Sequence, residues 1–292
     1  MMNKTLNSRV AIITGASQGL GLQIAKHYLS AGANLVLCAR NHEHLESATL
    51  QLGALLSKHQ KIYSIAADVS SESDVSNVLN LTLEKFGTCH ILVNNAGIYG
   101  PMGAIDEVDI NDWIRAIHVN LFGSVLMSRA VVPLFKKQKY GKLIQLSGGG
   151  ATAPLPSFSA YAASKAAVVR YAETLAEELR EFGVDVNAIA PGALNTRMLD
   201  EVIDAGPEKV GKKFYDKSLQ QKEGGGSSLE FAANLAVFLA SSASDGISGK
   251  IISAAWDRWE DWSDHIKELK HSDVYTLRRI IGRDRGFDWG DK

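Results

Sequence analysis

The stretch from Arg9 to Ala33 limits the possible folds more than any other part of this chain. Arg9 to Thr14 (RVAIIT) is a short β-branched run bounded by glycine, which predicts a buried parallel strand, and LGLQIAKHYLSAGA has helical spacing. Between them lies TGASQGLG, in which Gly15, Gly19 and Gly21 follow one another at intervals of four and two residues. Strand, glycine turn and helix in this order let the backbone approach a pyrophosphate, because side chains at the three positions would block both turn and contact. The helix start adds free N–H groups and a positive dipole end.

The same alternation continues along the chain. NLVLCAR predicts a second strand whose end bears on the ligand. An NAD site places an acid about 20 residues after the first glycine, on the ribose 2′-hydroxyl. Here no Asp or Glu lies between Gly15 and His42, and Ala39 and Arg40 end the strand instead. An arginine there can pair with a 2′-phosphate, so NADP(H) is favoured over NAD(H). KIYSIAADVS ends a third strand at Asp68, and SESDVSNVLNLTLEKF carries Val75, Val78, Leu79, Leu83 and Phe86 at helical intervals behind a serine cap. ILVNNAG reads as a fourth strand running into Asn94, Asn95, Ala96 and Gly97. DINDWIRAIHVNLFGSVLMSRAVVPLF reads as one long helix, and Asn120 inside that apolar stretch needs a partner. With KLIQLS, VDVNAIA and KIIS the strand candidates number seven. The expected class is α/β: a Rossmann-type, doubly wound, seven-stranded parallel sheet with helices on both faces, its ligand at the strands' C-terminal ends.

A chemical site is expected near Ser147 to Lys165. Tyr161 and Lys165 are four residues apart in AYAASKAAVVRYAETLAEEL, which puts them one turn apart on one helix face. A free phenol has a pKa near ~10 and is a poor acid or base at neutral pH unless a nearby cation stabilises the phenolate. Lys165 can supply that field. Ser147 follows LIQL, so its hydroxyl can meet a carbonyl oxygen at a strand's end. The net charge of −1 offers no global basic field for nucleic acid or an anionic membrane. Two cysteines, Cys38 and Cys89, give neither a disulfide framework nor metal-ligand spacing, so no metal is expected. MMNKTLNSRVAIITG lacks a long apolar core of the secretory kind, and no charge-free apolar run is long enough to span a membrane, which predicts a cytoplasmic protein.

Taken in order, TGASQGLG, Asp68-Val69, NNAG at 94–97, Asn120, Ser147, YAASK at 161–165 and PG at 191–192 resemble the short-chain dehydrogenase/reductase family, in its compact single-domain branch. The similarity runs from about Ser8 to Ser253. The resemblance implies that Tyr161 donates or takes the proton, that Lys165 lowers its pKa and binds the nicotinamide ribose, and that Ser147 orients the substrate oxygen. Asn120 would hold a proton-relay water. Gly15, Ser17, Gly19, Leu20 and Gly21 would contact the pyrophosphate, with Gln18 also binding the cofactor, Asp68 and Val69 would contact the adenine, and Asn95, Ala96 and Gly97 the adenosine side and the sheet scaffold. Pro191, Gly192 and Thr196 would sit beside the nicotinamide. The implied reaction passes hydride between NADP(H) and a small carbonyl or alcohol substrate, a 3-oxoacyl group or a keto sugar. The family's common assembly, through helices matching 109–136 and 160–182, implies a homotetramer or homodimer. The alternative is a dinucleotide-binding regulator or scaffold that has lost catalysis. One departure stands out: most relatives place the serine thirteen residues before the tyrosine, a position held here by Gly148, one residue after Ser147. A longer loop across Gly148–Gly150 would return Ser147 to its role.

Residues 1–253 are expected to form the dinucleotide-binding and catalytic domain and 254–292 a Trp-rich extension. Within the domain, 195–228 reads as a polar, irregular substrate cover with GGGSS as a hinge. Trp259, Trp262, Ile266 and Leu269 recur at intervals of three, four and three, which predicts a short amphipathic helix. It would pack on its own subunit, cross an interface or wall the substrate pocket. Arg278, Arg279, Arg283 and Arg285 could meet a phosphate-bearing group or pair with neighbouring acids.

Overall fold

The computed structural model describes residues 5–289; the first four and last three residues, which fall within the domain ranges expected above, lie outside it. Strand β1 (Val10–Thr14) feeds helix α1 (Gly19–Ser30), β2 (Asn34–Ala39) feeds α2 (His42–Gly53), and β3 (Ile62–Ala66) feeds α3 (Glu72–Phe86). Then come β4 (Ile91–Asn94), α4 (Ile110–Ile117), α5 (Gly123–Gln138), β5 (Gly141–Leu146), α6 (Ser159–Leu179) and β6 (Val184–Ala190). Helices α7 (Arg197–Ala205), α8 (Pro207–Val210), α9 (Lys212–Gly224) and α10 (Leu229–Ala240), strand β7 (Ile251–Ser253) and helix α11 (Ile266–Lys270) complete the order. The seven strands form one parallel sheet in the order β3-β2-β1-β4-β5-β6-β7, the doubly wound arrangement expected. The chain winds outward from β1 to β3, then returns beside β1 with β4, so the crevice at the switch point opens between the ends of β1 and β4.

Because successive strand residues point to opposite faces, each strand serves two cores. Ile13, Leu35, Leu37, Val93 and Ile144 pack under α1, α2 and α10, whereas Ile12, Val36, Leu92 and Leu143 pack under α3, α5 and α6. Helix ends follow local chemistry. The Ser71 hydroxyl accepts from the Asp74 amide at the start of α3, and Gly87, at φ +71°, ends it.

Three stretches differ in detail from the sequence expectation. The long helix from Ile110 to Gln138 forms, but a π-helical turn at His118–Phe122 interrupts it. By length and composition alone it could cross a membrane, yet Val119, Met127, Val131 and Phe135 are buried against the sheet. Residues 195–228 are not irregular: they hold α7, α8 and α9, because Leu199, Val202 and Val210 are buried while the lysines and acids between them face outward. GGGSS is also tied down. The Ser227 amide donates to the Ala193 carbonyl at 2.7 Å, and a Cβ on Gly226 would lie 2.5 Å from Asn195 Oδ1.

The extension packs on its own chain, but Trp259–His265 is a 3-10 helix, with only Ile266–Lys270 in α form. Apolar residues three apart eclipse one another at three residues per turn, which suits the 3-10 geometry. Trp259 tilts against Phe238 of α10 and Trp262 against Tyr275. Further on, the Ile251 amide donates to the Tyr275 carbonyl at 2.8 Å and Glu173 accepts from the Leu277 amide, so the extension covers part of the free edge of β7. Arg278 pairs with Asp273 and Asp284.

Candidate active site

The loops after β1 to β6 line one cleft of about 480 Å³. At its centre the end of β1 is stapled to the end of β4. Thr14 Oγ1 accepts the amides of Asn95 and Ala96 at 3.0 Å each, and Asn95 Nδ2 donates to the carbonyls of Thr14 (2.9 Å) and Gly15 (3.1 Å). That staple explains two glycines. A Cβ on Gly15, which sits at φ +63°, would come within 2.9 Å of Ala96 Cα, and one on Gly21 would come within 2.5 Å of both Asn95 Nδ2 and the Gly15 carbonyl oxygen. Gly15, Ser17, Gln18, Gly19 and Leu20 line the cleft; Gly21 lies behind it and lets the turn close.

Arg40 lines the far end with Asn41 and His44, where the Asn41 side chain caps α2 by accepting from the His44 amide at 2.8 Å. Asp68 and Val69 form the adjoining wall. Burial alone would raise the Asp68 carboxyl, but hydrogen bonds from the Ser70 hydroxyl and amide, with the fields of Arg40 and Arg115, hold it below the usual carboxylate range. The opposite wall carries Ala96, Gly97, Ser147, Tyr161, Lys165, Pro191 and Thr196.

Tyr161 and Lys165 sit on the buried face of α6, 7% and 5% exposed. Lys165 Nζ donates to the Leu146 carbonyl at 2.7 Å and lies 5.7 Å from the centre of the Tyr161 ring. The loop after β5 wraps tightly around this pair. A Cβ on Gly148 would lie 2.1 Å from the Tyr161 hydroxyl, and one on Gly150 would lie 2.6 Å from Ala162 Cβ, so the glycine run makes close contact rather than slack. Ser147 stays in the cleft wall, 3% exposed, and its hydroxyl is buried without a hydrogen-bond partner among the described residues.

The expected lowering of the Tyr161 pKa by Lys165 is not met in this state. Burial, then the nearby Tyr99 phenol, raises Tyr161 well above its ordinary value, and burial pushes Lys165 down to about 8. Stripped of solvent, each group resists charge more than its neighbour helps it. Lys165 therefore links to stability. Between pH 8 and its ordinary 10.5 the unfolded chain holds more of this proton than the folded one, so stability rises with pH in that window. In denaturant unfolding, wild type is expected to gain about 2 kcal/mol relative to Lys165→Met between pH 8 and pH 10. A constant difference across that range would contradict the burial of the ammonium.

Asn120 does not reach the cleft. It sits in the π turn, 1% exposed, where Oδ1 accepts the Ile98 amide (2.8 Å) and Nδ2 donates to the Ile98 carbonyl and to Ser164 Oγ (both 2.9 Å). It backs Gly97, where a Cβ would lie 3.2 Å from its Oδ1 and 3.5 Å from Lys165 Nζ. Gly192, at φ +86°, likewise lies off the cleft against Ser227. Sequence reasoning did not single out Asn41, His44, Ile98, Val119, Leu194, Asn195, Arg197 or Met198, which also line it. The start of α2 beside Arg40 was the available signal for the first two.

Residues 9–206 match the family model described as short chain dehydrogenase. The chain is 32% identical over 256 residues to dehydrogenase/reductase SDR family member 4 of Caenorhabditis elegans, covering 86% of this chain and 95% of that one. It is 30% identical over 252 residues to the (2S)-[(R)-hydroxy(phenyl)methyl]succinyl-CoA dehydrogenase subunit BbsD of Thauera aromatica, covering 85% and 95%. Among solved structures, levodione reductase superposes with a TM-score of 0.78 at 26% identity, covering 87% of this chain and 98% of that one.

Proposed function

The chain belongs to the short-chain dehydrogenase family, oxidoreductases that bind a nicotinamide dinucleotide, and we propose that within it this protein interconverts a ketone and a secondary alcohol using NADP(H). One observation carries the reading: a phenol, an ammonium and a buried hydroxyl unpartnered among the described residues gather on the wall of a cleft that begins at a glycine turn with no room for a Cβ at Gly15 or Gly21. The residues fit a dinucleotide. The turn from Gly15 to Gly21 and the N-terminus of α1 suit a pyrophosphate, Asp68 and Val69 an adenine, Arg40 a 2′-phosphate, and Pro191 and Thr196 the nicotinamide end. The bound nicotinamide supplies or takes the hydride.

The chain's own residues do the remainder. Tyr161 hands a proton to the substrate oxygen in reduction and takes it back in oxidation. Burial keeps Tyr161 a protonated phenol and opposes its ionisation, and the Lys165 charge offsets that penalty by stabilising the phenolate left behind when the proton is handed over. The Ser147 hydroxyl, with no hydrogen-bond partner among the described residues, is available to bond the substrate oxygen. Exposed Ile110, Ile114 and Phe122 along the long helix support assembly with further copies through 109–136.

The test of NADP(H) use is calorimetric binding of NADPH and NADH to wild type and Arg40→Ala. A lost charge-assisted contact weakens NADPH binding by about 10- to 100-fold and leaves NADH unchanged. Equal or tighter binding of NADH by wild type would overturn the 2′-phosphate assignment.

A further inference from the structure

Strand β7 ends the sheet and pairs with β6 through Ile251, Ile252 and Ser253. The Ala188 amide donates to the Lys250 carbonyl, and the Ala254 amide to the Ala190 carbonyl. Because main-chain groups alternate in direction along a strand, those of Ile251 and Ser253 point away from the sheet. An outward row of this kind is where another strand adds. Here residues 254–292 of the same chain occupy it. The Ile251 amide donates to the Tyr275 carbonyl at 2.8 Å, the Ser253 amide to Asp257 Oδ2 at 2.7 Å, and the Ser253 carbonyl accepts the Asp257 amide at 3.2 Å.

Two buried charges hold this cover in place. Lys250, 5% exposed, donates to the carbonyls of Ser272 and Val274 at 3.0 and 2.9 Å. Glu173 of α6, 9% exposed, accepts the Leu277 amide at 2.6 Å. Trp262 tilts against Tyr275 with ring centres 4.4 Å apart. The cover offers no edge of its own, since residues 271–280 hold no strand and Tyr275, at φ +59°, kinks the segment out of extended form. Nor does it serve the cleft: none of the cleft-lining residues lies beyond Met198.

We infer that the extension closes β7 to strand pairing with a second copy of this chain, and so limits assembly to two copies. The face along the long helix stays open, with Ile110, Ile114 and Phe122 exposed. One self-complementary face is used up when two chains meet about a two-fold axis, whereas four chains need a second face. The limit of two rests on the assembly reading above; the closure of β7 does not.

The experiment compares full-length wild type, Lys250→Met/Asp257→Ala and Ile114→Asp by analytical sedimentation, with amide hydrogen exchange and circular dichroism on each. Wild type is expected to sediment as two chains, with slow exchange at Ile251 and Ser253. Removing the Lys250 bonds and the Asp257 acceptor is expected to speed exchange of those two amides by at least about 10-fold and to raise the assembly to four chains or more, with helical content unchanged. Four chains in wild type, or a double variant that exchanges fast yet keeps the wild-type mass, would overturn the inference. If the double variant loses its helical signal, Asp257→Ala alone opens the Ser253 amide and is read by the same two measures. Ile114→Asp is expected to give single chains. Two chains in that variant, or single chains in wild type beside pairs in the double variant, would sink the long-helix contact and leave the closure of β7 standing.

Discussion

Tyr161→Phe is expected to lower kcat/KM for carbonyl reduction by about 10³-fold, within the range a positioned acid contributes, while NADPH affinity stays within a few-fold of wild type. The ring itself is needed for packing: it is 7% exposed and contacts Tyr99 and the cluster of Phe158, Val202 and Val210. Phenylalanine keeps that packing and removes only the hydroxyl, so the fold should survive. The loss should appear in kcat rather than KM, because protonation of the substrate oxygen matters in the transition state and little in the ground state. Steady-state kinetics with binding measured separately checks this. A variant that retains wild-type kcat would place the proton transfer on another group.

Gly21→Ala is expected to weaken dinucleotide binding by at least about 100-fold and to destabilise the protein by about 1–3 kcal/mol through overpacking. The added Cβ would meet the Gly15 carbonyl oxygen and Asn95 Nδ2 at 2.5 Å each. Neither can yield cheaply, since one is backbone of the turn and the other is held by the carbonyls of Thr14 and Gly15. Relief must open the staple between β1 and β4, at the point where the pyrophosphate is proposed to lie. Gly53→Ala is the control. It lies at the end of α2 with nothing within 4 Å of its Cβ position, and the substitution should be neutral or slightly stabilising. Calorimetry and urea unfolding on the two variants separate the cases; equal behaviour would contradict the close-approach argument.

The sheet was legible because its inner strands, buried on both faces, are nearly continuous apolar runs, and the half-buried edge strands β3 and β7 keep the alternation with amphipathic helices. What stayed hidden depended on distant partners. The π turn at His118–Phe122 contains Asn120, whose side chain bonds Ile98, twenty-two residues earlier, and Ser164 on α6. Helices α7 to α9 were masked by charge, since KKFYDKSLQQKE shows few apolar residues and buries fewer still. In the site, residue types and spacing pointed to the glycine turn, Arg40, Ser147, Tyr161 and Lys165, and the family resemblance implied most of the rest of the cleft wall. They did not give the direction of the Tyr161 and Lys165 shifts, because burial, which sets both, is a property of the folded walls. The one-residue offset of Ser147 also needed coordinates: Gly148 lies under the phenol, and the serine hydroxyl is left unpartnered in the cleft wall.

The most direct measurement is calorimetric titration of NADPH, and then NADH, into the wild-type protein at neutral pH. The account predicts one dinucleotide bound per chain, with NADPH the tighter ligand. Heat of binding from neither would contradict it, because every proposed role of the glycine turn, Arg40, Tyr161 and Lys165 depends on a dinucleotide occupying that cleft.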